Sequence, residues 1–299
     1  MHRMSHRPWP RPTAAATHVV ALAAALLVAL GLALPADPAQ ALSRGDTTKP
    51  TTATFGVQPA FAGRPDARPF FRFGTTPDAL VNDQAALRNY ATRPVTLRLV
   101  ASDATNLPDG GLTALPTGTA SHDAGSWVAL GGAARSGQVT VPGRSTVVVP
   151  FRLRVPHDAT PGDHVAGLLA SLVTTTRDAQ GTDVRLDQRV GTRLFVRVSG
   201  PLRPSLQVSG VTATWHGSSW NPFARGTVTL RYRLQNAGNV ALGASATGSV
   251  HGLVGPTTRA RAAGAALLLP GNGVDASVEV RGVRPVLRER ATVRVTPWW

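Results

Sequence analysis

The 299-residue sequence contains no cysteine. Disulfides, thiolate metal sites and a cysteine nucleophile are therefore excluded. If the protein is exported, its cores alone must hold it together. Lysine is almost absent, with Lys49 the single example, so the 31 Lys and Arg residues are nearly all arginine. Glutamate occurs only as Glu279 and Glu289, and aromatics make up 5% of the chain. Catalytic signatures are missing too: there is no HExxH, no GxSxG and no phosphate-cradling loop. These absences favour a protein that binds over one that catalyses, and no cofactor is expected.

What is abundant points to turns and strands. The chain has 30 Gly and 24 Pro, and 42% of it is hydrophobic, enough to pack one or two domains. The formal net charge is +15. An Arg-, Ala-, Gly- and Pro-rich composition is what a GC-rich genome produces. Attraction to an anionic surface, such as a wall polymer or lipid headgroups, is the functional alternative. Nucleic acid is not an expected partner, because the arginines are spread along strands and not clustered.

Residues 1–41 read as an export signal. Arg3, Arg7 and Arg11 form a positive start, residues 19–34 are uncharged and Ala/Leu-rich, and Pro35 breaks the run. Ala39-Gln40-Ala41 gives a small-x-small cleavage pattern with Leu42 as the first mature residue. No Arg-Arg pair is present, which favours the general secretory route. Residues 42–54 are polar and read as a flexible spacer.

Residues 145–172 organise the remainder. Val147, Val149, Phe151, Leu153 and Val155 alternate with polar positions that include Arg152 and Arg154. A period of two marks a strand with one buried face. Pro156 and Pro161-Gly162 then turn the chain into a second apolar run, and the pattern predicts a hairpin. Further strands are predicted at 55–57, 70–73, 94–100, 127–128 and 138–141. Residues 79–88 read as a strand with a helix as the competitor, and 103–126 as a long loop. The longest alternation is 182–198. There Val184, Leu186, Val190, Leu194, Val196 and Val198 share one parity, while Arg185, Asp187, Arg189, Arg193 and Arg197 share the other.

Gly200-Pro201 and Pro204 suggest a boundary. Beyond it, strands are predicted at 206–208, 211–215, 226–234, 240–244, 249–253, 274–280 and 291–295. Spacing near ten residues with turn signals between them is the pattern of an immunoglobulin-like sandwich. The expected fold is all-β: two tandem immunoglobulin-like β-sandwiches after a signal peptide, the first over 55–203 and the second over 204–299.

Several motifs in this order resemble the WxL-interacting proteins of Gram-positive surfaces. They are Phe55-x-Val57-x-Pro59, the aromatic run 70–73, Asn89 before Pro94-Val95-Thr96, and Asp103-Ala104 with Gly110-Gly111. Gly125-x-Trp127, Val155-Pro156 with Pro161-Gly162-Asp163-His164, Asn221-Pro222 and Asn236-x-Gly238-Asn239-Val240 complete the set. The resemblance implies an extracellular, envelope-associated adaptor. Its first domain would bind peptidoglycan or an anionic wall polymer, and its second would bind WxL-domain surface proteins or host matrix. That family commonly ends in a membrane anchor. No apolar run of about 20 residues precedes Pro297-Trp298-Trp299, so an anchor is not visible in this sequence.

Three residue sets deserve weighing as sites. His157 and His164 flank a loop with Asp158 and Asp163, which reads as a metal site or as a polar surface loop. Asp103 and Asp109 read as a glycosidase carboxylate pair or as acidic turn residues. Trp215, Trp220 and Phe223, with the arginine face of Arg185, Arg189 and Arg193, form a candidate contact patch. The competing reading is aromatic closure of a sandwich end beside a solvated sheet face. The leading expectation is a non-catalytic adaptor. The alternative is a structural or chaperone-like sandwich that pairs with other chains through its edge strands.

Overall fold

The computed structural model describes residues 55–178, 180–218, 220–221, 224–252, 257–283 and 289–298. The leader residues Ala39, Ala41 and Leu42, and Phe223 of the contact patch, lie outside this set. Period-two sequence becomes strand nearly throughout. In chain order the strands are β1 (Phe55–Phe61), β2 (Arg64–Pro65), β3 (Phe71–Thr75), β4 (Leu80–Asn89), β5 (Val95–Asn106), β6 (Leu112–Ala114), β7 (Val128–Leu130), β8 (Gln138–Val141) and β9 (Thr146–Arg154). β10 (Gly162–Arg177), β11 (Asp183–Val198), β12 (Leu206–His216), β13 (Gly226–Asn236), β14 (Gly243–Gly252), β15 (Thr258–Ala263), β16 (Gly273–Val283) and β17 (Glu289–Trp298) follow. Among the described residues no helix is long and apolar enough to cross a membrane.

The first sandwich packs the sheet β2-β1-β4-β9-β7 against the sheet β3-β11-β10-β5-β6, with β8 also paired to β5. Its core takes the predicted parities: Val149, Phe151, Leu153 and Val155 from one sheet face Leu168, Leu194, Val196 and Val198 from the other. Phe71 and Phe151 meet edge-to-face with centroids 5.0 Å apart. Each large side chain buried here contributes about 1.5–3 kcal/mol of transfer free energy. The second sandwich packs β12-β13-β16 against β15-β14-β17 around Leu230, Tyr232, Leu234, Val278 and Val280. The chain is thus two immunoglobulin-like sandwiches in tandem.

Five local expectations need correction. The stretch 145–172 is not a hairpin: β9 pairs with β4 and β7, while β10 pairs with β11 and β5. The prolines turn the chain from one sheet to the other. The long loop 103–126 contains the end of β5 and all of β6, which pair through Ala104↔Ala114. Residues 79–88, by contrast, form the expected strand, since β4 is hydrogen-bonded on both sides by β1 and β9. In the second sandwich, 206–208 and 211–215 are one strand with a bulge between Ser209 and Thr212. Likewise β14 is continuous where two strands were expected, and β15 pairs with it although no strand was expected there.

Candidate functional site

β10 and β11 are paired without interruption from Gly162↔Val198 to Arg177↔Asp183. The turn between them is tied by Asp178, whose Oδ1 accepts from the backbone N–H groups of Gln180 and Thr182. Neighbouring strands cover only part of this long hairpin. β5 pairs with β10 over Ala166 to Ser171, and β3 runs parallel to β11 over Leu194 to Val198 only. Beyond those limits the hairpin is a two-stranded ribbon with no sheet partner on either flank among the described residues.

The inward row of β11 follows this change in cover. Val198, Val196 and Leu194 are buried, and Val190 packs at the edge of the core. Leu186 and Val184, of the same parity, are 50% and 42% exposed. An apolar row therefore runs from the core into solvent beside an unpaired strand edge. Such an edge can take an extended segment: main-chain hydrogen bonds continue the sheet, and alternate side chains cover the apolar row.

An aromatic and cationic cluster stands where the free edge meets β3. Phe70 lies edge-on to Phe195, with centroids 5.2 Å apart. The guanidinium of Arg72 sits 5.3 Å from the Phe70 ring centre and that of Arg193 sits 5.8 Å from it. Among the described residues neither arginine has a carboxylate partner. Two uncompensated guanidinium groups held against aromatic faces suit an incoming carboxylate. Arg197, further along β11, is already engaged: Asp163 accepts from its Nε and Nη2, and these bonds raise its pKa against the opposing effect of burial.

The candidate patch divides between two places. Arg185, Arg189 and Arg193 share the outward face of β11. Arg189 donates to the Leu115 carbonyl at 2.8 Å, and Thr117 donates to Asp187 at 2.6 Å, so the residues after β6 cover part of that face. Trp215 belongs to β12 and packs against the second core, whereas Trp220 is almost wholly exposed. No ring or cation contact joins the tryptophans to the arginines among the described residues.

The other sets separate as well. His157 pairs with Asp78 at 2.7 Å, and its pKa is raised chiefly by that hydrogen bond. His164 pairs instead with Asp123 at 2.6 Å. Among the described residues no group of three His, Asp or Glu is placed to hold a metal ion. Asp103 accepts from the backbone N–H groups of His122, Asp123 and Gly125, and Asp109 accepts from that of Gly111. Both are turn-holding residues. The open β11 edge escaped sequence reasoning, because parity tells which face a residue takes and not whether anything covers it.

No family model matches this chain, and no curated protein matches it. The chain is similar to the class 5 fimbriae chaperone CfaA, with 8% identity over 81% of this chain and 98% of that one and a TM-score of 0.39. It is also similar to a chain of the CsuC–CsuE chaperone–tip adhesion subunit complex from Acinetobacter baumannii, with 11% identity over 81% and 98% and a TM-score of 0.36. The E. coli chaperone DraB matches at 10% identity over 75% and 85%, with a TM-score of 0.34. The expected membership of the WxL-interacting family is therefore corrected, and the peptidoglycan-binding role it implied goes with it. The motifs that carried that resemblance hold turns: Asn89 and Asn236 brace strand ends, Asp103 clasps a loop, and 161–164 joins the two sandwiches.

Proposed function

We propose that this chain is a chaperone-like pair of sandwiches that takes an extended segment of a partner surface protein onto the open edge of β11. The observation that carries this reading is the apolar row Val190, Leu186, Val184, which continues the core parity past the last residue of β11 that β3 covers. A segment with alternating apolar side chains would cover that row and complete the sheet. Arg72 and Arg193 stand at one end of the docked segment and favour a carboxylate there. The first sandwich, over 55–203, carries the edge, and the second, over 204–299, forms the other arm. Export through the signal at 1–41 and an envelope location belong to the same proposal.

The test is site-specific photo-crosslinking in the native host, with the probe at Leu186 and a control probe at Thr140 on β8. The expected result is a product at Leu186 alone, in which the crosslinked partner peptide alternates apolar and polar residues. In a pull-down of the same partner by the unlabelled chain, Val184→Asp with Leu186→Asp should abolish binding while the far-ultraviolet spectrum stays that of a β protein. A partner that crosslinks equally at Thr140, or that still binds the double variant with unchanged affinity, would refute the proposal.

A further inference from the structure

The two sandwiches meet along two seams. In one, Asn106 at the end of β5 donates to the Leu267 carbonyl at 2.7 Å and accepts from the Leu269 N–H at 2.9 Å. Thr105 donates to Asn272 at 2.7 Å in the same seam. In the other, Asn239 is seated on the segment that leads into β10. Its Nδ2 donates to the carbonyls of Pro161 and Pro201, and its own carbonyl accepts from the Asp163 N–H at 2.8 Å. Asp163 Oδ2 also accepts from the Ala241 N–H at 2.8 Å. Gly162 has φ +128°, and a Cβ there would overlap the Asn239 carbonyl. The second seam therefore needs residues 160–163 in one position.

That position is set by His164. Its ring is largely buried, with Trp127 4.7 Å away between centroids. Nδ1 lies 2.6 Å from Asp123 Oδ1, and Nε2 lies 2.8 Å from the Thr160 carbonyl. A carboxylate and a carbonyl both only accept, so each ring nitrogen must carry a proton to satisfy both contacts. The neutral ring can make one of these bonds and leaves the other acceptor unserved.

We propose that protonated His164 is a positioning residue for the angle between the sandwiches: the imidazolium pins the segment on which Asn239 sits, and the neutral ring releases it. The first seam then acts as the hinge, since no titratable side chain takes part in it. The inference stands independently of the partner proposed for β11.

The charges around the ring fit this role. Asp123 faces it from the loop before β7 and Asp163 from its own strand, and Arg197 of β11 is bound to Asp163. Asp103 and His122 line the same cleft of about 530 Å³. The second sandwich lines it with Gly238, Asn239, Leu269, Pro270 and Asn272, all uncharged. Burial lowers the pKa of His164. The bonds from Asp123 and Thr160 and the two carboxylate charges outweigh burial, so the net shift is upward. The clamp is then fully present below the ordinary histidine pKa of about 6.5 and is lost as pH rises through the raised value.

The absence of native cysteine permits clean labelling. Ser136→Cys and Ser277→Cys place one spin label on each sandwich. Distance distributions are measured from about pH 5 to about pH 9, a range that spans histidine titration. With the other tryptophans replaced by Phe, Trp127 emission reports the ionisation of the adjacent ring. We expect a narrow distribution at low pH that broadens as Trp127 emission titrates. His164→Gln should be broad at every pH, and Asp123→Asn should move both transitions to lower pH together. A wild-type distribution that stays unchanged while Trp127 emission titrates would overturn the proposal. Should His164→Gln fail to fold, the wild-type series and Asp123→Asn still decide.

Discussion

Asn236 is the sharpest single test of how the second sandwich is held. It is the last residue of β13 and is fully buried. Its amide donates to the carbonyls of Val240 at 2.7 Å and Leu268 at 2.9 Å, and its Oδ1 accepts from the Gly238 N–H at 3.0 Å. Removing all three bonds in Asn236→Ala, at about 1 kcal/mol each, costs about 3 kcal/mol. With a urea m-value of about 1–3 kcal/mol/M, the midpoint falls by about 1–3 M. Asn236→Asp keeps the acceptor for Gly238 but turns an oxygen toward two carbonyls. Burial and those carbonyls favour the protonated acid, so the folded-state pKa of the new carboxyl is raised. Stability is then highest at acid pH and is lost as pH rises through that value, leaving the Asp variant worse than the Ala variant at neutral pH. The assay is urea unfolding followed by tryptophan emission, in one variant that keeps only Trp215 to report the second sandwich and another that keeps only Trp127 to report the first. An Ala variant that loses less than about 1 kcal/mol, or an Asp variant with no pH dependence, would refute the reasoning.

Other consequences follow from named contacts. Leu186→Asp alone should change unfolding free energy by no more than about 0.5 kcal/mol, because that residue is half exposed and lies beyond the stretch of β11 that β3 pairs. A calorimetric loss several times larger would mean the edge is not open. Arg68 binds Asp66 and Asp83 and also donates to the Ala60 carbonyl. Arg68→Ala should cost about 1 kcal/mol in chemical denaturation, a modest figure because the side chain is partly solvated. The Arg68 hydrogen bond holds the Asp66 carboxyl below its usual range. Its contribution is full above a pH of about 4 and is lost as pH falls through the depressed value, so the variant should show a flatter acid limb. Gly162→Ala should leave the melting of each sandwich in place while broadening the distance between spin labels at every pH.

Alternation of side chains made most of the architecture legible. Val149, Phe151 and Leu153 are buried as their parity requires, and so are Val228, Leu230, Tyr232 and Leu234. Parity is local, however, and sheet membership is not. Pro156 and Pro161 announce a turn after β9, yet they do not say whether the next strand pairs beside it or crosses to the facing sheet. β15, with the sequence TRARAA, has few β-branched residues and reads as loop. It is a strand because β14 offers it an edge, and β14 itself is held on its other side by β17. The same limit hid the candidate site. Leu186 and Val196 carry the same signal in sequence, yet one is half exposed and the other lies in the core.

The asparagine motifs show why a resemblance built on short patterns misled. Asn89 ends β4 as Asn236 ends β13. Asn89 donates to the carbonyl four residues on, at Arg93, and accepts from the N–H two residues on, at Ala91. Asn236 does the same with Val240 and Gly238. Each also reaches a distant carbonyl, at Val141 and at Leu268 respectively. A strand that ends inside a sandwich must satisfy backbone carbonyls that water cannot reach, and a buried amide does this with one side chain. The requirement belongs to the corner and not to any ligand. Chains that turn such a corner will converge on asparagine followed by small or turn-forming residues, whatever they bind. A pattern that arises twice in one chain for a structural reason cannot identify a family. The open edge of β11 differs in kind, since covering Val184 and Leu186 would serve the free fold and yet no strand among the described residues does so.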